Sequence, residues 1–464
     1  MHHRVDNYLN TYKILYKNQY GFRKGHSCEH ALMSAQNKIL ENLDKKQITL
    51  LLLIDFSKAF DMVDHDILLY KLNHYGIRGI ALKWFESYLK NRKQYAHVNN
   101  VSSKIEDLKY GVPQGSILGP LLFIIYINDL PNIQKLSQFV IYADDANIFI
   151  TGATMDEIET KFNELAQFLV DWVSANGLLL NVKKTNYMIF ANITTRDFDA
   201  KIKNIPIEHS KVSRFLGVLI DSNLTWRHHI AALQARLTRN AGILLKMKGT
   251  LPIQVLKTLY HSFIHSHMNH CPLIWGLGKK STVNTLFVAQ KRAMRTLVPG
   301  FVNYYFDKNT GEHPCHTKPI FTELKIQTIH NVILQHLLVF MRKVIYEISP
   351  PSITKLFTVE NSTSAILTTF QSVDARLKPH NNSIFVKGPK LYNLIVSQLQ
   401  CMPDTNRNTP IFSAQIKPFK NYIKSRILVL QASGNAHEWA DTNFGLYKGS
   451  RRSTRISNQN AFFT

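Results

Sequence analysis

The sequence predicts an α+β fold in which an antiparallel sheet packs on helices. Three observations predict it. The apolar run Phe139–Ile150 is interrupted by two adjacent acids, Asp144 and Asp145. Its β-branched and aromatic flanks read as two short strands meeting at a tight hairpin. Residues 49–54 form a second, nearly continuous apolar run that ends on Asp55, as expected of a strand buried on both faces. After the hairpin comes an amphipathic helix: Thr154 and Glu157 form a capping box. Ile158, Phe162, Leu165, Leu169 and Trp172 or Val173 give it one apolar stripe, and Gly177 marks its end.

The remaining elements follow in order. Residues 1–27 read as a lead-in loop, followed by a helix from Cys28 to Leu43. A helix begins at Asp64 and stops near Gly76, and another covers Ile80 to Leu89. Gln94 to Val101 is strand-like. Pro113, Gly115, Gly119 and Pro120 punctuate a loop that feeds an apolar helix, Leu121 to Leu130. Strands near Tyr187–Ala191 and Arg214–Ile220 are expected to complete the sheet. After Trp226 the character turns helical and basic to about residue 300. Residues 301–464 hold more Pro, Asn, Ser and Thr and end in a basic tail, flexible from about 445.

Charge separates the function classes. The chain of 464 residues has 56 Lys and Arg against 32 Asp and Glu, a net charge of +24, which favours a polyanionic partner. Between Ser222 and Phe306 there is no acid at all, while Arg227, Arg236, Arg239, Lys246, Lys248, Lys257, Lys279, Lys280, Lys291, Arg292 and Arg295 fall there. A solvated helical face mixes signs, so this stretch is expected to meet nucleic acid. The four cysteines, Cys28, Cys271, Cys315 and Cys401, are too scattered for a disulfide framework. His261, His265, His267, His270 and Cys271 cluster, and His313, Cys315 and His316 follow, but the spacing matches no standard zinc finger. The N-terminus lacks an apolar signal region and residues 48–54 and 117–127 are too short to span a bilayer, so an intracellular chain in nucleus or cytoplasm is expected.

The acids carry the chemistry. Neighbouring carboxylates repel, and burial raises the cost of ionising them. A divalent cation is the simplest group that offsets this cost. With Asp55 on the facing strand, Asp144 and Asp145 complete an oxygen-ligand set suited to two Mg²⁺ ions.

In order and spacing these motifs resemble a non-LTR retrotransposon reverse transcriptase of the jockey-like kind. Gln19-Tyr-Gly-Phe-Arg-Lys-Gly-His-Ser27 resembles its fingers motif, and Asp55-Phe-Ser-Lys-Ala-Phe-Asp61 its first palm motif. Trp84–Gln94 resembles an insertion typical of the group, and Gly111-Val-Pro-Gln-Gly-Ser-Ile-Leu-Gly-Pro120 the next palm motif. Tyr142-Ala-Asp-Asp145 resembles the catalytic hairpin, and Leu180-Asn-Val-Lys-Lys-Thr185 and Phe215-Leu-Gly-Val-Leu219 the two that follow.

The resemblance implies a right-hand polymerase: partial fingers over residues 1–48, a palm over 49–225, a helical basic thumb over 226–300, and a nucleic-acid-binding C-terminal extension over 301–464. It implies RNA-directed DNA synthesis from dNTPs on an RNA template and DNA primer, with two Mg²⁺ ions, or Mn²⁺ in their place. Asp55, Asp144 and Asp145 would be catalytic and hold the metals, with the backbone carbonyl of Phe56 assisting. Phe60 would exclude a ribose 2′-hydroxyl, with core packing as the alternative. Gln114 would touch the nucleotide and primer–template, Arg23 the triphosphate, and Lys184 the leaving pyrophosphate. Phe215, Leu216 and Gly217 would form the primer grip, a hairpin pressing the primer end toward the metals, with plain strand packing as the alternative. Because the resemblance starts inside the fingers and nothing corresponds to the family's endonuclease, the chain reads as N-terminally truncated. A catalytically weak or inactive nucleic-acid-binding remnant is therefore the second expectation.

Overall fold

The computed structural model describes residues 1–135, 137–298, 317–360, 369–371, 378–400 and 416–432. The chain divides into two compact units. One comprises Met1–Ala231, Leu273–Trp275 and Val339–Pro389, and the other Ala232–Pro272, Gly276–Leu338 and Lys390–Thr464. Described residues after 300 fall in both units. The expected tail from 445 and the His313, Cys315 and His316 group lie outside the described residues.

The first unit is built on a five-stranded sheet. Its central strand, Ile48–Ile54, pairs antiparallel with Asp145–Gly152 on one side and Asn186–Phe190 on the other. Gln138–Tyr142 flanks the first of these, and the two-residue strand Glu208–His209 adds in parallel to the second. All seven residues of the central strand are buried, which explains its lack of polar alternation. One core contains Leu50, Leu52 and Ile54 of this strand, Ile148 and Ile150 of its neighbour, and Phe162, Leu165 and Leu169 of the helix Met155–Ala175. That helix begins as the sequence predicts: the Thr154 hydroxyl accepts from the Glu157 amide, and the Glu157 carboxylate accepts from the Ala153 amide. The helices Cys28–Asp44, His65–His74 and Ile80–Leu89 also lie where the pattern places them.

Four elements depart from expectation. Residues His2–Thr11 form a helix, not a loop; only Val5 and Leu9 of it are buried, too thin a pattern to read. The apolar helix runs Leu118–Tyr126, starting earlier because the Ser116 hydroxyl accepts from the Gly119 amide. Gln94–Val101 is not one strand: Arg92–Gln94 pairs with Glu106–Leu108, and His97–Val98 with Val101–Ser102. Val212–Phe215 and Val218–Asp221 do not complete the sheet but pair with each other as a separate hairpin, because a two-residue turn folds the segment back on itself.

The second unit is helical, with Ile253–Tyr260, Lys280–Leu297 and Ile416–Ala432 among its helices. A buried amide ties it together: Gln290 Nε2 donates to the Tyr260 hydroxyl (2.8 Å) and the Gln327 carbonyl (2.9 Å), and its Oε1 accepts from the Ile329 amide. His261 and His265 stack edge to face in this unit. Among the described residues no three His, Cys, Asp or Glu side chains are grouped to hold a metal. No described helix is long and apolar enough to cross a membrane.

Candidate active site

The sheet brings the three acids to one end. Ile54 pairs with Ala146 across neighbouring strands, so Asp55 and Asp145 come next in the same register. Tyr142 pairs with Asp145 and closes a two-residue turn, Ala143-Asp144. Burial is the largest influence on Asp144 and raises its carboxyl above the ordinary value; Asp55 raises it further. Burial, then Asp144, then Asp55 push the Asp145 carboxyl up to about 6. Asp145 still presents a face to solvent, so water weakens this coupling without removing it. The three are therefore electrostatically coupled, yet they are not drawn into a closed cage. Carboxylates are the hard oxygen donors that Mg²⁺ and Mn²⁺ prefer.

The hairpin is clamped from outside. Ala143 adopts φ +55°, a left-handed conformation that costs about 1–2 kcal/mol for a residue with a Cβ. Its amide donates to the Gln19 side-chain oxygen (3.1 Å), which also accepts from the Gly21 amide (2.8 Å). The Tyr20 amide donates to the Ile141 carbonyl (2.8 Å), and the Ile141 amide to that of Asn18 (3.0 Å). A Cβ on Gly21 would lie 2.3 Å from the Ala143 nitrogen, so only glycine allows this approach. Gln19 and Gly21 lie in the fingers-like motif, whose sequence assigns them no role at the hairpin. No local signal could have found it, because the partner lies more than a hundred residues away.

Asp55 is fixed from the other side. Its carbonyl accepts from the Asn181 amide (2.8 Å), and the Ser57 amide donates to the Leu179 carbonyl (2.8 Å). Phe56, buried, bridges to Leu180. These bonds carry Lys184 to 3.9 Å from the Asp55 carboxylate, where its ammonium stays exposed.

The other expected residues are distributed around this end. Phe60 is half-buried, stacked on Phe123 (4.2 Å, 24°) and edge to face with Phe22 (6.1 Å). The Gln114 amide donates to Asp61 Oδ1 (2.7 Å), which orients it at the surface. The Val112 amide donates to the Phe60 carbonyl and the Gly111 amide to that of Val63, so the Gln114 loop is tied to the Phe60 segment. Arg23, expected at the triphosphate, donates from Nη1 to the carbonyls of Tyr16 and Gln19, both at 3.1 Å. Its Nε is buried without a partner. Burial lowers its pKa below the usual value. Phe215 is buried, while Leu216 (φ +47°) and Gly217 (φ +81°) form the turn of the separate hairpin.

Residues 1–220 match the family model described as reverse transcriptase (RNA-dependent DNA polymerase). The chain is 27% identical over 351 residues to the probable RNA-directed DNA polymerase from transposon BS of Drosophila melanogaster, covering 72% of this chain and 37% of the relative. It is 26% identical over 295 residues to the RNA-directed DNA polymerase from mobile element jockey of the same species, covering 61% of this chain and 32% of the relative. The matched stretch thus spans about a third of the length of these curated relatives. Among solved structures it is similar to telomerase from Candida albicans in complex with a telomeric RNA fragment, at 12% identity and a TM-score of 0.36, covering 69% of this chain and 54% of that one. That likeness is too distant to argue from.

Proposed function

Because residues 1–220 carry a reverse transcriptase domain like those of jockey-type non-LTR retrotransposons, we propose that the chain is an RNA-directed DNA polymerase. It joins a deoxynucleotide to a primer 3′-hydroxyl on an RNA template. The observation that carries this reading is the meeting of Asp55, Asp144 and Asp145 at one end of the central sheet. In this reading the sheet and its covering helices are the palm, residues 18–27 belong to the fingers, and the basic helices of the second unit form the thumb.

Asp55, Asp144 and Asp145 would hold two Mg²⁺ ions, with the Phe56 carbonyl as a further oxygen. When bound, such ions acidify the attacking hydroxyl and neutralise the leaving pyrophosphate. The protein's own groups do the rest. Gln19 and Gly21 hold the Asp144 turn in place. Lys184, beside Asp55, carries a proton to the leaving group. Gln114, oriented by Asp61, meets the base pair at the primer end. Phe60 presents its ring where a ribose 2′-hydroxyl would sit, backed by Phe123 so that it does not yield. The turn at Phe215, Leu216 and Gly217 presses the primer end toward the acids. Arg23 serves the triphosphate indirectly, by holding the carbonyls of Tyr16 and Gln19.

Primer extension on poly(rA)/oligo(dT) with dTTP tests this. Mg²⁺-dependent incorporation that Asp144→Asn abolishes is expected. Salt-sensitive nucleic-acid binding without incorporation in the wild type would instead mark a non-catalytic remnant. Phe60→Ala is expected to admit ribonucleotides, and unchanged sugar discrimination would remove Phe60 from this role.

A further inference from the structure

The first unit carries an aromatic ladder that the catalytic reading does not use. Trp84 and Tyr88 sit one turn apart on the helix Ile80–Leu89, with rings parallel within 8° and centroids 5.5 Å apart. The guanidinium of Arg92, on the strand that follows the helix, lies 5.9 Å from the Tyr88 ring. The ladder sits at the edge of the core: Tyr88 is half-buried and packs against it, while Trp84 stands out to solvent. Trp84 is 39% exposed, whereas the neighbouring Phe85 and Leu89 face inward and are fully buried. Tyr95, on the hairpin that follows, is 61% exposed.

The surroundings are basic. Residues 78–110 contain Arg78, Lys83, Lys90, Arg92, Lys93, Lys104 and Lys109 against Glu86, Glu106 and Asp107. Glu86 pairs with Lys90 and Asp107 with Lys93, leaving Lys83, Lys104 and Lys109 outside any ion pair among the described residues. Flat π-faces in a row, edged by cations, match an unpaired strand: bases stack on rings while phosphates meet lysines. A double helix hides its base faces and does not fit. An apolar protein partner would leave the lysines unmatched. The segment also leads into the site, since the Leu108 end of the hairpin lies just before the loop that bears Gln114.

We propose that Trp84, Tyr88 and Arg92 form a stacking platform for single-stranded RNA, holding the unpaired template. This rests on the polymerase reading for the identity of the strand, but not for the binding itself.

The test uses the full chain and a labelled r(A)₂₀ strand, read by fluorescence anisotropy beside an RNA hairpin of equal charge. Trp84→Ala is expected to weaken single-strand binding about tenfold and to leave hairpin binding unchanged. Trp84→Phe, which keeps a ring, should restore most of it. Tyr88→Leu, which keeps apolar volume without a π-face, should weaken binding as well and guards against misfolding of the alanine variant. Equal single-strand affinity in wild type and both ring-removing variants would overturn the platform. So would a parallel loss on the RNA hairpin, or a change in self-association in place of RNA affinity. Asp144→Asn should bind the strand as wild type does. If the platform variants lose affinity while the wild type incorporates no nucleotide, the polymerase reading fails and the platform stands.

Discussion

Two hairpins in the first unit close on two-residue turns, and they are stabilised in opposite ways. At Phe215–Val218 the turn is Leu216-Gly217, both at positive φ, and Gly217 makes that conformation inexpensive. At Tyr142–Asp145 the turn is Ala143-Asp144, with no glycine, and Ala143 is held at φ +55°. The first turn has a glycine, Gly217, at one of its two positive-φ positions. The second depends on Gln19 and Gly21, which reach it from a distant part of the chain. A turn carrying coupled carboxylates is unstable by itself, and the clamp offsets that instability while fixing where the acids point.

The largest contrast is expected from glycine. Gly21→Ala forces the hairpin backbone away from 2.3 Å contact. It should lower primer extension roughly a hundredfold, the scale of an ångström-sized displacement of catalytic groups. Gly217→Ala should cost only about 1–2 kcal/mol of stability, read by urea unfolding, with the acid end undisturbed. Equal effects on catalysis would erase the distinction between the two turns. Next comes Gln19→Leu, which leaves the Gly21 and Ala143 amides buried without an acceptor. A loss of about 2–4 kcal/mol is expected, and Gln19→Glu, which still accepts twice, should recover most of it. If Leu and Glu destabilise alike, the acceptor is not what holds the turn.

The Asp145 carboxyl, pushed up to about 6 by burial and then by Asp144 and Asp55, gives a pH signature that the other hairpin lacks. Its folded value lies above its unfolded one, so the folded chain retains the proton longer. Without cations, this group's contribution is most favourable below the unfolded value and declines as pH rises through about 6. Cation binding needs the deprotonated form, so Mn²⁺ affinity should rise by up to about tenfold between pH 5 and pH 7. Calorimetric titration of wild type and Asp145→Asn checks this, and an equally steep profile in the variant would assign the effect elsewhere. The smallest expected change is Leu216→Asn, which suits positive φ and should stabilise by about 0.5–1 kcal/mol, measured by thermal unfolding.

The acid positions were legible because strand patterning and carboxylate chemistry are local signals. Asp55 ends an apolar run and Asp144-Asp145 interrupts another, so their place at strand ends follows from sequence alone. The capping box at Thr154 and Glu157 was legible for the same reason. The missed features are long-range. Gln19 acts through Ala143, and Arg23 donates to carbonyls of its own loop, which no spacing announces. The 212–221 hairpin has good strand sequence, but Gly217 turns it back on itself before it can join the sheet. The helix His2–Thr11 buries only Val5 and Leu9, too few apolar positions to establish a period.

The central claim is that Asp55, Asp144 and Asp145 act as one cation-binding unit. Electron paramagnetic resonance of Mn²⁺ added to the chain with primer–template and dTTP tests it directly, without relying on turnover. A spin-coupled pair of bound ions in wild type, lost in both Asp55→Asn and Asp144→Asn, is the predicted result. A wild-type spectrum showing no coupled pair, or one that survives either substitution, would contradict it.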